Sequence, residues 1–317
     1  MKSFYDVIVI GGSASGLQAC LTFGRAFINV LCIDSKKPCN RYANESHNLL
    51  GNDGINPLEI VSKAKEQIKN YPTIEFKDDV VKDVNKINGD HDGFKVSIGS
   101  GDIFQSKRVI FASGVNDNID KIPIKGIEKY WGNSIIHCPF CHGTEFRNGK
   151  TGLYYGSSIF LKMMLPTLYN WSKDINVFCS EDIYNELDSD LVSNLQRKNI
   201  NVFKSSITEV KGKSIGHGNE ETLSQVILQN GQSVDLDVLY IIPPSVINNK
   251  DILTKLGVEL DDKGLIKVTP YQKTNVEGIY ACGDNTNFLR ALAVAIAQGL
   301  TTAALITHEI SQQRWSK

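Results

Sequence analysis

Cys138-Pro139-Phe140-Cys141-His142 sets two thiols three positions apart, with an imidazole directly after the second. Two cysteines at that spacing can close a small disulfide ring and trade two electrons with a partner, and a helix start or a cation makes such thiols reactive. Pro139 fits the first position of a helix, where its missing N–H costs nothing, and that helix start would lower the pKa of the Cys138 thiol. Cys-x-x-Cys-His is also the attachment motif of c-type haem. Cys138 and Cys141 with His137 or His142 would equally make half a zinc site. Haem attachment usually requires export, and no second cysteine pair completes a tetrahedral structural site. The redox pair is therefore the preferred reading, no metal is expected, and His137 reads as structural.

A second constellation lies at the N-terminus. Tyr5 to Ile10 is a nearly continuous β-branched run, as in a parallel strand buried on both faces. Gly11-Gly12-Ser13-Ala14-Ser15-Gly16 follows, then an apolar stretch from Leu17 to Phe27, then a short strand Val30 to Ile33 closed by Asp34. Such a turn binds a dinucleotide pyrophosphate at the helix N-terminus. Gly11 serves the tight turn, Gly16 lets helix and strand approach, and Asp34 can accept from a ribose hydroxyl. Ser13 stands where the fingerprint prefers glycine. Near the other end, Tyr280-Ala281-Cys282-Gly283-Asp284 reads as a strand ending in a carboxylate before a helix, suited to a ribitol and an isoalloxazine edge.

The chain has 317 residues, 41% hydrophobic and 22% charged, with a formal net charge of −1. This is an ordinary globular composition with length for about two domains. Near-zero charge removes the electrostatic argument for nucleic acid or an anionic membrane as partner. The N-terminus carries no basic, apolar and cleavage-site sequence, so export is not expected. Ala291 to Ile306 is apolar, but Gln298, Thr301 and Thr302 interrupt it, and a buried helix is expected rather than a membrane span. Seven scattered cysteines form no disulfide framework and suit a reducing, cytoplasmic setting. Cys20, Cys32 and Cys39 read as small core residues.

Further strands are expected at Phe94 to Ile98 and Arg108 to Phe111, the latter ending in Ala112-Ser113-Gly114. A second strand-helix-strand pattern follows: Gly152 to Tyr155, Phe160 to Trp171, Ile175 to Phe178. More strands are expected at Asn201 to Phe203, Gln225 to Leu228 and Val238 to Ile242. The chain changes character after Pro243-Pro244, so the middle third reads as inserted into a domain whose two parts flank it.

Over nearly its full length the chain resembles the low-molecular-weight thioredoxin reductases. Within them it is most similar to the branch with a Cys-Pro-aromatic-Cys-His-Gly signature, which the fungal dithiol oxidases also resemble. The residues that carry this are the N-terminal glycine turn, Ile33-Asp34-Ser35 with Pro38-Cys39-Asn40-Arg41, Ser46-His47-Asn48, Phe111 to Gly114, Cys138 to Gly143 and Gly278 to Asp284. The resemblance implies an α/β fold of two Rossmann-like, three-layer ββα nucleotide-binding domains, the second inserted into the first. The expected division is an FAD domain of 1–116 and 245–317 and an NAD(P)H-domain-like insertion of 117–244 carrying the cysteines. It further implies FAD, a homodimer, and rotation of the inserted domain so that one cysteine pair can face both flavin and partner.

By the same resemblance Cys141 is the flavin-proximal thiol and Cys138 the interchange thiol. His142 stands where the reductases place an acidic proton donor, and an imidazole with an ordinary pKa of about 6.5 suits that task. The implied flavin contacts are Gly11, Gly12, Ser13, Ala14, Ser15, Gly16, Asp34, Ser35, Asn40, Arg41, His47, Asn48, Ala112, Ser113, Gly114, Gly283, Asp284, Arg290, Ala291 and Leu292. His47 reads equally well as a loop histidine satisfied by backbone.

The pattern breaks in the middle third. The turn that would cradle NADPH is Gly156-Ser157-Ser158-Ile159-Phe160-Leu161, where only Gly156 survives. Leu161 stands where a small residue normally lets helix and strand touch, and Glu181 and Asp182 stand where arginines would clasp a 2′-phosphate. Tight NADPH binding is not expected. The electron route then has three forms: an external dithiol with dioxygen as acceptor, a carrier protein such as ferredoxin, or NADPH at an unusual site. The expected partner is a thioredoxin-like protein or a small dithiol.

Overall fold

The computed structural model describes residues 4–87, 92–215 and 221–316. The chain starts with β1 (Phe4–Ile10), α1 (Ala14–Arg25) and β2 (Val30–Asp34), the strand-helix-strand unit the sequence predicts. α1 stops earlier than its apolar run. Phe27 sits at φ 56° and is exposed, so the chain turns back toward β2. α2 (Pro57–Ile68) and β3 (Ile74–Asp78) continue the parallel pattern, and β4 (Val81–Ile87), β5 (Gly93–Ile98) and β6 (Ile103–Phe111) follow.

The described strands of this first sheet run β3-β2-β1-β6-β5-β4. β1 pairs in parallel with β2 and β6, whereas β4, β5 and β6 pair antiparallel. Alternate β1 residues enter opposite cores. Ile8 and Ile10 pack with Phe94, Val96 and Phe111 on one face; Val7 and Val9 pack with Leu17, Cys20 and Phe23 of α1 on the other. Burial of both faces is what the apolar run Val7–Ile10 of β1 encodes.

β7 (Val115–Asp117) leaves this sheet for a second one made of β8 (Ile135–Ile136), β9 (Thr151–Tyr154), β10 (Ile175–Phe178) and β11 (Asn201–Phe203), ordered β11-β10-β9-β15-β8. An antiparallel layer of β12 (Ile207–Ser214), β13 (Glu221–Leu228) and β14 (Ser233–Asp235) precedes the fifth strand, β15 (Val238–Ile241). That layer covers one face of the sheet through Val210, Leu223 and Val226. The other face is covered by α4 (Ser158–Leu168) and α6 (Ser189–Arg197), which follow the one-turn α3 (Pro139–His142) and bracket α5 (Glu181–Asn185).

The chain then returns through β16 (Ser245–Ile247), which pairs antiparallel with β7. α7 (Lys250–Lys255) and β17 (Ile279–Ala281), which pairs with β6, complete the first unit before α8 (Leu292–Trp315). The fold is thus α/β, with two Rossmann-like three-layer units and the second inserted in the first.

One expectation about the C-terminal segment changes. The last helix begins at Leu292 rather than directly after Asp284, and Ala291 is its N-cap residue, so Asp284 caps nothing there. Among the described residues, α8 is one helix long and apolar enough to cross a membrane by length and composition. One stripe of it (Ala295, Gly299, Thr302, Ala303, Ile306, Ile310) is buried. Ala303, Ile306 and Ile310 pack into the core that α1 shares, while Leu300 on another face is exposed.

Candidate active site

Cys138 and Cys141 are joined as a disulfide with Cα atoms 5.3 Å apart, inside the range such bridges need. Cys138 is the N-cap residue of α3 and Pro139 occupies its first turn, so the Cys-Pro signature is a helix start. Phe140 between them is exposed and meets Trp171 edge-on, with ring centroids 5.4 Å apart.

The disulfide opens onto a cavity of about 440 Å³. Ser13, Ala14 and Ser15 of the glycine turn line the same space, together with Asn40, His47, Asn48, Ala112, Ser113, Gly114, Asp284, Arg290, Ala291 and Leu292. Four distant stretches and the cysteine pair therefore meet at one place. Gly11, Gly12, Gly16, Asp34, Ser35, Arg41 and Gly283 stand outside the lining.

The glycines act from behind the wall. Gly11 has φ 106°, and a Cβ there would lie 2.4 Å from the Ala112 carbonyl oxygen. A Cβ on Gly16 would lie 1.9 Å from the Gly11 oxygen, so only glycine lets α1 start this close to β1. Asp34 is engaged elsewhere: Lys65 Nζ donates to Oδ2 at 2.9 Å and the Lys36 N–H to Oδ1 at 3.1 Å. Arg41 donates to the Pro38 carbonyl and to the Tyr42 hydroxyl.

These residues fit a flavin dinucleotide. Ser13 makes no side-chain cap, which leaves first-turn N–H groups of α1 for a pyrophosphate. His47 Nε2 stands at the same wall within 3.3 Å of Glu45 and 3.4 Å of Glu145, but without an aligned hydrogen bond.

The imidazoles near the disulfide differ in surroundings. His142 meets His47 edge-to-face at 5.6 Å. Burial pushes the His142 pKa below the usual imidazole range, with Glu145 opposing and His47 assisting, which favours the neutral, proton-accepting form. His47 lies 3.3 Å from Glu45, 3.4 Å from Glu145 and 3.6 Å from Asp53. His137 stacks on Trp131 at 6.1 Å. Burial, and then the charge of Arg290, push His137 down to about 4 against the opposing pull of Asp117.

The sequence named Arg290 as a flavin contact but not its partners Asp117 and Ser245, of which Asp117 also lines the cavity. Arg290 grips Asp117 with two N–H donors, each at 2.9 Å. The Ser245 hydroxyl donates to Asp117 at 2.6 Å and the Cys39 thiol at 3.0 Å, while Arg290 also donates to Cys39 Sγ at 2.7 Å. Burial alone would raise Asp117, but the hydrogen bonds and charge of Arg290 hold it at about 2. Burial pushes the Cys39 thiol up to about 12, so it is no nucleophile. Cys39 is also no passive core residue, because it lines the cavity. No spacing could reveal this cluster, since Asp117 and Arg290 lie 173 positions apart. Cys20 and Cys32 are fully buried, as expected.

Comparison with known proteins followed the same outline. The family model described as pyridine nucleotide-disulphide oxidoreductase matches residues 179–299. The thioredoxin reductase tcpT of Claviceps purpurea is 29% identical over 307 residues, covering 94% of this chain and 92% of that protein. An oxidoreductase from Agrobacterium tumefaciens is 34% identical, with a TM-score of 0.85 over 98% of this chain and 99% of its own. The putative thioredoxin reductase TrxB of Bacillus anthracis is 26% identical, with a TM-score of 0.88 and the same coverage of both chains.

Proposed function

The chain belongs to the thioredoxin reductase-like pyridine nucleotide-disulphide oxidoreductases, FAD-dependent enzymes of disulfide chemistry, and we propose that its Cys138–Cys141 pair carries electrons between the flavin and an external dithiol or disulfide without a conventional NADPH site. The observation that supports this most is the shared cavity, lined by the disulfide and by the turn at the start of α1. FAD would be held by the Gly11–Gly16 turn, Asn48, Ala112 to Gly114 and the Asp284–Leu292 segment, and it supplies a two-electron store.

The residues of the chain handle sulfur and protons. A thiolate of the external dithiol attacks Cys138 Sγ, the Cys138–Cys141 bond breaks, and Cys141 leaves as thiolate. The second external thiol then displaces Cys138 and closes the external disulfide. Two electrons and two protons have entered the enzyme, and neutral His142 takes a proton from an attacking thiol. The Cys138 and Cys141 thiolates then hold the electron pair, which they would give to a bound flavin as their disulfide re-forms. Run backwards, the same steps reduce an external disulfide. A thioredoxin-like protein or a small dithiol fits as partner.

The reading against NADPH rests on the second unit. At the start of α4, the Ser158 hydroxyl donates to the Glu186 carboxylate at 3.1 Å, where a pyrophosphate would otherwise dock. Glu181 and Asp182 open α5 close by, and three carboxylates repel a dinucleotide. Leu161 is fully buried against the sheet, where a small residue would be needed for a close helix-strand approach. We take 1–116 with 245–317 as the FAD domain and 117–244 as the insertion that rotates. A homodimer is supported by the exposed Leu300 face of α8, and a cytoplasmic setting by the five free cysteines.

Anaerobic mixing of the flavin-loaded protein with NADPH, NADH or dithiothreitol tests this directly. Bleaching of the flavin by the dithiol but not by the nucleotides is expected. Rapid bleaching by NADPH would sink the nucleotide part of the proposal, and no bleaching by any dithiol would sink all of it.

A further inference from the structure

The chain passes between its two units twice, at β7 and β16, and these crossings pair with each other: Val115 with Ile247, Asn116 with Val246, Asp117 with Ser245. Any change in the angle between the units must bend this ribbon. Asp117 lies at its end with a side chain only 4% exposed. Its oxygens are fully engaged. Oδ1 accepts from Arg290 at 2.9 Å and from Ser245 at 2.6 Å; Oδ2 accepts from Arg290 at 2.9 Å and from Cys39 at 3.0 Å.

Those partners come from three places. Ser245 is on the other ribbon strand, whereas Cys39 begins the one-turn helix Cys39–Tyr42 and Arg290 precedes α8, both in the first unit. We propose that Asp117 is a positioning residue: it ties both ribbon strands to Arg290, which fixes the seat of the inserted unit and holds the Cys138–Cys141 disulfide at the cavity wall.

Three physical points carry the inference. A two-pronged arginine–carboxylate contact fixes direction as well as distance, so it sets an angle where a single contact would leave a swivel. The pair is buried, and removing Asp117 leaves Arg290 with only the longer 3.9 Å acidic contact, to Asp284, so its direction is no longer fixed. Two other contacts between the units are nearer solvent. Glu145, 37% exposed, reaches His47 at 3.4 Å, and Phe160 stacks on the exposed Phe288 at 6.4 Å.

The inference rests on the reading that the disulfide exchanges electrons with a flavin in this cavity, and its test separates the two. The flavin-loaded wild type, Asp117→Ala and Ser245→Ala are compared in four measurements. These are flavin content, anaerobic bleaching by dithiothreitol, reaction of the reduced chain with dithionitrobenzoate, and amide hydrogen exchange at 115–118 and 245–248. Misplacing reacting groups by about 1 Å can cost about 100-fold, so Asp117→Ala should bleach at least about tenfold more slowly. It should keep its flavin, react with dithionitrobenzoate at the wild-type rate, and exchange its ribbon amides faster.

Ser245→Ala leaves the Arg290 contact in place and should shift the same readouts in the same direction by less. Asp117→Ala bleaching at the wild-type rate with unchanged ribbon exchange would overturn the inference. Loss of flavin with unchanged ribbon exchange would also overturn it, because Asp117 would then serve the cofactor through Arg290. If Asp117→Ala does not fold, Ser245→Ala decides: slower bleaching with faster ribbon exchange supports the inference, and wild-type behaviour refutes it. Failure of the dithiol to bleach the wild type would strike the functional reading instead, while ribbon exchange would still judge the clamp.

Discussion

His137 makes the protein sensitive to mild acid in a way that can be calculated. Its imidazole stacks on the buried Trp131, and burial with the nearby charge of Arg290 pushes its pKa from 6.5 to about 4, against Asp117 and with His142. The unfolded chain then binds this proton more readily than the folded one. Stability is complete above the unfolded value and falls as pH drops from there toward the folded value. A shift of about 2.5 units corresponds to about 3 kcal/mol, most of it lost by about pH 4.5.

Asp117 does not blur this window. Its depressed pKa of about 2 makes its contribution fade only below the ordinary carboxylate range. Urea unfolding of wild type and His137→Gln at neutral pH and at about pH 4.5 isolates the residue, because His142 and Asp284 titrate in both proteins and cancel. The variant should lose about 2 kcal/mol less than wild type on acidification. Equal losses in the two proteins would refute the reasoning.

Two further outcomes follow from the site. Gly16→Ala puts a Cβ 1.9 Å from the Gly11 oxygen; backing α1 away should cost about 1–3 kcal/mol. Thermal unfolding should read this as a lower Tm with reduced flavin content, and an unchanged Tm with full flavin would contradict it. Cys138→Ser should keep bound flavin and lose exchange with external disulfides in a dithionitrobenzoate assay, whereas loss of flavin would show the pair is misassigned.

Much of the local structure was legible because short-range rules govern it. The nearly continuous apolar run Tyr5–Ile10, interrupted only by Asp6, reads as a strand buried on both faces, and it lies between two cores. Pro139 marked the start of α3, and the small residues at 11 and 16 marked a turn where backbone must meet backbone. Helix ends were less legible. The left-handed Phe27 and the late start of α8 at Leu292 depend on where each element packs, not on propensity. The antiparallel layer β12 to β14 was only partly anticipated, because pairing partners are a long-range matter.

Local order thus belonged to the sequence: a redox-competent cysteine pair, a dinucleotide turn, and a second turn that departs from the dinucleotide fingerprint. Only the tertiary structure brought the first two to one cavity and put Glu186 on Ser158. It alone assembled Asp117, Ser245, Cys39 and Arg290 from opposite ends of the chain. The physical reason is that periodicity and turn chemistry act over a few residues, whereas a buried charge acquires its partner from whichever segments the packed cores bring within about 3 Å of it.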